Sequence, residues 1–576
     1  MSTKKTKIST IRRLRSSSLT IRNVLHKRSM STSAVGSQSS PPYFRSHRIS
    51  VSDTSPLASS AIIGNRPKTR SLPTDCLFEI FRTFQCDYPT LFNCLLVCRS
   101  WAHAAVAFYW RMPLEHLKET LVIDNFLKCL NDEELCRFRK DVEWVDERQP
   151  AFKYTEHLRA LSLGELFNAV QKWVDRIQQD PTLAQELSLR AWRIIVSHVM
   201  LISGIQSLSF DWGDKEIWRE YPDLLRSLPS ERSPFSSLQK LSLHYITDFT
   251  IFAHLSQSAT NIEELEIIDY AFSPPPNYIE EQYLSSFIKS QTNLKRFKLF
   301  GHGCTPRKAI TCLPSQYRTL TSLELIYIDF NGSDDMLGPI RWDGIAKCVN
   351  LQQLIIRYCS SATMDEHLYP LAHARFPLLR KIYIEESTYN WDELVISLIE
   401  TNPTNLREVF FKPIENSRQD GNADNNNSSS YVDVHSTKII ETVARYCPDI
   451  VLLGAPIARS QIQHLAAIFK QSTCQLRSLS LFKSTQRTGV QIKDSWPELG
   501  FLMPSSMQHL NVCIEMPDEV MQQFLQSTRA KLETLWFDSW IVCYGYQCLI
   551  VHDYLRQQHK DLGLKQSVRQ FLRYVV

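Results

Sequence analysis

The stretch LPTDCLFEIFRTFQCDYPTLFNCLLVCRSWAHAAVAFYW, Leu72 to Trp110, decides how the rest of the chain is interpreted. Pro73 suits a first helical position and Asp75 favours the positive start of a helix, so a first helix is predicted there. Thr90 can cap a second helix, and Val97-Cys98 leads into a third. Apolar side chains recur at helical spacing in all three segments, namely Leu77, Ile80, Phe81 and Phe84, then Leu91, Leu95 and Leu96, then Trp101, Ala104, Ala105 and Phe108. Three helices this short cannot bury all these groups among themselves, which predicts that some of them face another surface.

The spacing of apolar residues in this stretch resembles an F-box over residues 71–113. The resemblance implies a three-helix domain that docks onto the Skp-type adaptor of cullin–RING ubiquitin ligases. The positions that match the F-box pattern, and are therefore the implied adaptor contacts, are Leu72, Pro73, Leu77, Ile80, Val97, Cys98 and Trp101. The sequence departs from the pattern at Asp75, where glutamate is common, and at Gln85 to Pro89, which lengthen the first interhelical loop. The alternative is a three-helix subdomain that only builds its own core.

After this stretch the main signal is repetition of the pattern apolar-x-x-apolar-x-apolar, as in LQKLSL and LQQLII. Thirteen copies begin at Leu158, Ile205, Leu238, Ile262, Leu294, Leu320, Leu351, Leu379, Leu406, Ile450, Leu476, Met507 and Leu532. The alternation at the end of each copy predicts a short strand, and segments such as WDELVISLIE between copies have helical periodicity. One strand–helix unit cannot bury its inner face alone, so the units are predicted to stack.

These copies resemble the repeats of the F-box/leucine-rich-repeat protein family. The resemblance implies an α/β fold in which the F-box precedes a horseshoe-like solenoid of degenerate leucine-rich repeats over residues 158–545. The asparagine or cysteine usual after each strand is mostly absent, with Cys359 a clear exception. A doubly wound sheet is the competing interpretation, and so many similar units at one period argue against it.

The remaining segments flank these two parts. Residues 114–157 mix charged helix-forming residues with apolar positions and are predicted to be a helical connector. Residues 546–576 are amphipathic and are predicted to cap the last repeat, whose apolar face is otherwise open. Residues 415–430, ENSRQDGNADNNNSSS, have the composition of a mobile loop.

The first 70 residues are basic and Ser-rich, which predicts a disordered tail. They hold 14 Lys and Arg against one acid, a charge of +13, and this leaves −8 for the rest of the chain. An Arg-rich amphipathic segment around Ile8 to Leu25 is also compatible with a mitochondrial transit peptide, a nuclear import signal or a loose contact with a membrane surface. An F-box has no ligase partner inside a mitochondrion, so the expected localisation is cytoplasmic, nuclear or both.

The sequence contains little that indicates chemistry. It has no GxSxG, HExxH, GxxxxGK[ST] or GxGxxG motif, and its fifteen cysteines form no CxxC pair. We therefore expect no catalytic site, no metal, no cofactor and no disulfide framework. The negative balance of residues 71–576 disfavours nucleic acid, and no apolar run is long enough for a membrane span.

The combination of an F-box with repeats implies a non-catalytic substrate receptor of an SCF-type (Skp–cullin–F-box) ubiquitin ligase. The alternative is a leucine-rich-repeat scaffold without a ligase role, and a hydrolase or transferase with a degenerate site has no motif behind it. The target protein cannot be named, but residues between the inward leucines of the middle repeats are expected to meet it. The candidates are Lys298, Phe300, Arg357, Tyr383 and Phe410. The alternative is that these side chains are covered by loops or merely solvated.

Overall fold

The computed structural model of the protein describes most of the chain after residue 71. The described residues are 72–139, 149–210, 235–244, 249–269, 278–301, 307–328, 330, 342–359, 365–387, 391–413, 438–471, 474–483, 495–514 and 517–537. The predicted tail, the predicted loop at 415–430 and the predicted cap at 546–576 lie outside these residues.

Three short helices open the described chain, α1 (Thr74–Thr83), α2 (Tyr88–Leu95) and α3 (Arg99–Tyr109). Pro73 precedes α1, and its carbonyl accepts the Leu77 N–H at 3.2 Å, so Pro73 caps the helix and does not begin it. The predicted Thr90 cap of α2 is wrong, because Thr90 already lies inside the helix. Asp87 is the cap, and its carboxylate accepts the Thr90 N–H at 3.2 Å.

Within the described residues thirteen strands form one parallel sheet, and their order in the sheet is their order along the chain. They are β1 (Ala160–Ser162), β2 (Ser207–Phe210), β3 (Lys240–His244), β4 (Glu264–Asp269), β5 (Arg296–Gly301), β6 (Ser322–Ile326), β7 (Gln353–Arg357), β8 (Lys381–Ser387), β9 (Glu408–Pro413), β10 (Leu452–Ile457), β11 (Ser478–Lys483), β12 (His509–Cys513) and β13 (Thr534–Phe537). Each strand begins two residues after one of the thirteen predicted repeat starts. A doubly wound sheet reverses its strand order, whereas this sheet does not, so the arrangement is that of a solenoid.

Helices fill the connector and most returns between strands. They are α4 (Glu119–Lys128), α5 (Asp132–Arg139), α6 (Leu163–Val174), α7 (Pro181–Ile202), α8 (Thr250–Ser258), α9 (Tyr278–Ser290), α10 (Arg307–Cys312), α11 (Asp365–Ala372), α12 (Trp391–Thr401), α13 (Lys438–Tyr446), α14 (Ile462–Lys470), α15 (Trp496–Leu502) and α16 (Asp518–Ser527). Successive helices such as α8 and α9, or α15 and α16, pack against each other. The first apolar residue of every unit is buried, and one hydrophobic cluster runs from Val106 to Leu535.

Amide side chains that directly follow helices, buried at Gln291 and Asn402 and partly buried at Gln471, join neighbouring units. Gln291, after α9, donates through Nε2 to the Ala259 carbonyl at 2.8 Å, and Asn402, after α12, donates through Nδ2 to the Ala374 carbonyl at 3.2 Å. Gln471, after α14, donates to the Ala444 carbonyl at 3.2 Å. Each acceptor lies in the preceding unit, so these amides satisfy carbonyls that the helix ends leave without partners.

The backbone hydrogen-bond ladder of the sheet begins at the end of the three-helix region. In each unit the carbonyl just before the strand accepts two consecutive N–H groups of the next unit, as Gln206 does from Gln239 (2.8 Å) and Lys240 (2.9 Å). The Arg111 carbonyl, two residues after α3, does the same for Arg159 (3.1 Å) and Ala160 (3.2 Å). Arg111 therefore occupies the position of a preceding repeat, and it starts the ladder.

Candidate adaptor-binding interface and the outer face of the sheet

The three-helix region has a small core of its own. That core consists of Leu77, Phe81, Leu91, Cys94, Ala104 and Ala105. Phe81 meets the edge of the Trp101 ring, with ring centroids 5.4 Å apart. These core residues occupy only one side of each helix. The apolar residues of the helices cover more than one side, so some of them remain outside this core.

Seven large apolar side chains of the same region are exposed. They are Leu72, Phe78, Ile80, Phe84, Phe92, Leu96 and Val97, and we call them the apolar face. Leu96 is 71% exposed and Val97 is 59% exposed. Since a soluble chain gains free energy by covering such groups, seven of them within 26 residues indicate a surface that meets a partner.

The predicted adaptor contacts are placed differently from one another. Leu72, Ile80 and Val97 belong to the apolar face, Pro73 and Cys98 are exposed helix caps, and Trp101 is half-buried. Leu77 is only 1% exposed. It is therefore a core residue of the three-helix region and not part of the apolar face.

Sequence reasoning did not assign Phe78, Phe84, Phe92 or Leu96 to the interface. The signal was available for α2 and its end, where Phe92 and Leu96 are four residues apart and therefore share a helix side. The apolar face extends over α1 and the α2–α3 turn, and it is wider than the predicted set of contacts.

Cys98 is the exposed cap residue of α3. Its Sγ lies 3.2 Å from the Ser100 Oγ. Hydrogen bonding with the Ser100 hydroxyl and the Trp101 N–H lowers the pKa of the Cys98 thiol below its ordinary value. The structure thus places a thiol with raised thiolate character beside Val97, at the edge of the apolar face.

The Arg111 side chain links the three-helix region to the sheet. Nη1 donates to the Gln85 Oε1 at 3.1 Å, and Nη2 donates to the Gln206 Oε1 at 3.2 Å. Burial lowers the pKa of the neighbouring Arg159, and the positive charge of Arg111 adds to that effect. The side chain and the carbonyl of Arg111 therefore fix the apolar face relative to the first repeats.

The outer face of the sheet carries the strand side chains that alternate with the buried ones. Lys298, a predicted target contact, donates from Nζ to the Glu266 Oε1 at 2.8 Å on the adjacent strand. Burial by itself would raise the pKa of Glu266, but the hydrogen bonds from Lys298 and Ser242 lower it overall. Phe300 is 9% exposed and packs with Ile326 on this face. Two of the predicted contacts are therefore already engaged within the protein.

Two tyrosines with left-handed backbone follow β6 and β7 at equivalent positions. Tyr327 has φ 53° and Tyr358 has φ 55°, values that cost a bulky side chain free energy. Their N–H groups continue the ladder to the Arg357 carbonyl (2.9 Å) and the Glu385 carbonyl (2.8 Å). The two rings stack with centroids 4.7 Å apart, and Tyr327 contacts Phe300 at 5.1 Å.

The remaining predicted target contacts extend this series of rings. The Arg357 guanidinium lies 5.4 Å from the Tyr358 ring and 5.5 Å from the Tyr383 ring. Tyr383 stacks on Phe410 at 4.2 Å with an interplanar angle of 2°, and Phe410 meets Phe482 edge-on at 5.4 Å. We call these rings the aromatic row, which comprises Phe300, Tyr327, Tyr358, Tyr383, Phe410 and Phe482. The sequence analysis missed Tyr327, Tyr358 and Phe482.

An ion pair and a close backbone contact hold side chains of the aromatic row in place. Arg357 Nε donates to the Glu385 Oε2 at 2.8 Å. Burial would lower the pKa of Arg357, but the carboxylate of Glu385 raises it overall. At the other end, a Cβ on Gly454 would lie 2.3 Å from the Phe410 Cδ2, so the Phe410 ring needs glycine beside it.

Among the described residues, no group of three or more His, Cys, Asp or Glu side chains is arranged to hold a metal ion. No helix in the described part of the chain has the length and apolar character to cross a membrane.

Comparison with known proteins bears on the three-helix region. Residues 69–115 match the family model described as F-box-like. No curated protein matches the chain. The matched residues include α1, α2, α3, the apolar face and Arg111. The chain therefore carries an F-box-like domain at residues 69–115, and a thirteen-stranded parallel sheet follows it between Ala160 and Phe537.

Proposed function

We propose that this protein is the substrate-recognition subunit of an SCF-type ubiquitin ligase. The apolar face binds a Skp-type adaptor, and through it a cullin–RING ligase, while the repeats hold a target protein. The chain contributes no bond-making residue. Its effect is to raise the effective concentration of the target beside the ubiquitin-charged enzyme.

The observation that carries this proposal is the apolar face on an F-box-like domain. F-box domains commonly dock onto such adaptors, and exposed Leu96 and Val97 supply apolar area for a partner to cover. The Arg111 contacts add support, because a target is oriented for transfer only if the adaptor-binding and target-binding parts are rigidly joined.

The sheet supports the target-binding half of the proposal. Its thirteen sequential parallel strands and the buried leucine of each unit are the features of a leucine-rich-repeat solenoid, and we assign the repeats to that class. The aromatic row combines Tyr and Phe rings with Arg357, the residue types most enriched where protein interfaces concentrate their binding energy.

Co-purification from cells tests this function. The full chain, tagged and expressed under proteasome inhibition, is expected to capture both the adaptor and a cullin, and to lose both when residues 69–115 are deleted. Capture of adaptor without cullin would identify an assembly scaffold. Capture of neither would remove the ligase interpretation.

We also propose a cytoplasmic or nuclear location, since adaptor and cullin act there. A fluorescent reporter fused to residues 1–40 tests the rival signal. Mitochondrial import with cleavage would overturn the proposed location.

A further inference from the structure

Three arginines occupy the same ladder position at the start of neighbouring strands. Arg380, Arg407 and Arg477 directly precede β8, β9 and β11, and all three side chains are exposed. Backbone hydrogen bonds place them in sequence across the sheet, from Arg407 N–H to the Arg380 carbonyl (2.9 Å), then through Val451 to Arg477 (2.7 and 2.8 Å). Since adjacent strands lie about 4.8 Å apart, this arginine row spans roughly 15 Å.

The charge of the arginine row is not neutralised by the described part of the protein. At the equivalent position before β5, Lys295 pairs with Glu263 at 2.9 Å. Glu408, which directly follows Arg407, pairs instead with Lys381 at 2.8 Å. None of the described carboxylates forms an ion pair with Arg380, Arg407 or Arg477. Three guanidinium groups therefore face solvent together, in the form that binds carboxylates through two parallel hydrogen bonds.

Along β8 and β9 the arginine row is followed by rings of the aromatic row. Lys381 follows Arg380, and its Nζ lies 5.9 Å from the centroid of the Tyr383 ring. Along a strand, the step from residue 380 to residue 383 is about 10 Å, or three residues of an extended chain. A peptide that crosses this part of the sheet would meet cations first and then the stacked rings of Tyr383 and Phe410.

We propose that strands β8 to β11 form a docking surface for an extended acidic segment of a partner protein. Carboxylates of the segment bind the arginine row, and an apolar side chain about three residues away packs on the edge of the Tyr383–Phe410 stack. This inference deepens the proposed function, because the segment would belong to the target. Nucleic acid is the less suitable anion, since residues 71–576 carry a formal charge of −8.

Fluorescence anisotropy with the full chain tests the docking surface. The probes are labelled peptides of equal length that contain Glu-Glu-Glu-Gly-Gly-Phe, the charge-reversed Lys-Lys-Lys-Gly-Gly-Phe, or Glu-Glu-Glu-Gly-Gly-Ala, and a twelve-residue oligothymidylate. The first peptide is expected to bind at least about 10-fold more tightly than the second, and more tightly than the third and the oligothymidylate. Equal binding of the two charge forms, or preference for the oligothymidylate, would overturn the proposal.

Variants assign the binding to named residues. Replacing Arg380, Arg407 and Arg477 with Glu should weaken binding of the acidic peptide by about 10-fold or more. The matched control replaces three exposed cations outside the surface, Lys118, Arg176 and Lys470, with Glu, and it should bind as the wild type does. A triple Gln variant, with an unchanged melting temperature, replaces the triple Glu variant if the latter does not fold.

The same protein preparations separate this inference from the proposed function. Each variant is also tested for adaptor capture, which uses the apolar face and not the sheet. If the adaptor binds but the acidic peptide shows no preference for the arginine row, the docking surface is wrong and the receptor role stands. If the peptide binds and the adaptor does not, the failure lies in the proposed function.

Discussion

Leu96 and Val97 provide the sharpest test of the adaptor interface, because their side chains belong to no hydrophobic core cluster of the described residues. They are 71% and 59% exposed, and full burial of such a side chain is worth about 1.5–3 kcal/mol. After allowance for the exposed fraction and the methyl group that alanine keeps, the double change Leu96→Ala/Val97→Ala should remove about 2 kcal/mol of binding free energy. That corresponds to an increase of about 30-fold in Kd.

The measurement is a calorimetric titration of purified Skp-type adaptor into the full chain. The matched control is Leu183→Ala/Val349→Ala, which makes the same chemical changes at side chains 52% and 45% exposed outside the F-box-like domain. Both double variants should unfold within about 0.5 kcal/mol of the wild type, since surface truncations seldom cost more. A similar change in affinity for both pairs, or less than about a 3-fold change for Leu96/Val97, would refute the reasoning.

The remaining predictions concern stability and thiol reactivity. Leu77→Ala should destabilise the F-box-like domain by about 2–5 kcal/mol in urea unfolding, because it empties a buried site, whereas Ile80→Ala should leave the free energy of unfolding nearly unchanged. The lowered pKa of Cys98 means that its thiolate persists to lower pH, so its alkylation by iodoacetamide, followed by mass spectrometry, should reach half its maximal rate at a lower pH than that of an ordinary cysteine thiol. Gly454→Ala should displace the Phe410 ring and lower stability by about 1–3 kcal/mol, and this cost should shrink when Phe410 is also alanine.

Each of these predictions has an outcome that contradicts it. Equal destabilisation by the Leu77 and Ile80 variants would mean that the two side chains are not divided between core and surface. If Cys98 is alkylated with the pH dependence of an ordinary thiol, and this dependence is the same with and without the Ser100 hydroxyl, the hydrogen bond does not act on the pKa. Additive costs for Gly454→Ala and Phe410→Ala would show that the two positions do not touch.

The strand positions were predictable from sequence because they depend on local pattern. In each repeat the first leucine and the alternating pair that follows must all face one core, and this fixes where a strand begins within a residue or two. The cap of α2 was less predictable, since Asp87 and Thr90 are both capping residue types and only the backbone conformation decides between them.

The two binding surfaces were predictable only in part. A helical pattern shows that α1 has apolar residues on more than one side, but it does not show that Leu77 turns inward and Ile80 outward. The aromatic row depends on Tyr327 and Tyr358, whose left-handed backbone no sequence preference favours. These arrangements follow from packing against other elements, which a local window does not contain.

The sequence by itself determined an F-box-like helical stretch and thirteen strand–helix units, because hydrophobic periodicity is a property of neighbouring residues. Only the tertiary structure showed that Arg111 continues the ladder of the sheet, and that Arg407 and Arg477, 70 residues apart in the chain, lie two strands apart. The physical reason is that parallel strands pair through backbone hydrogen bonds whose register is independent of the length of the intervening loop. Side chains that are remote in sequence are therefore brought onto one surface by the ladder, and the chemistry of that surface is decided there.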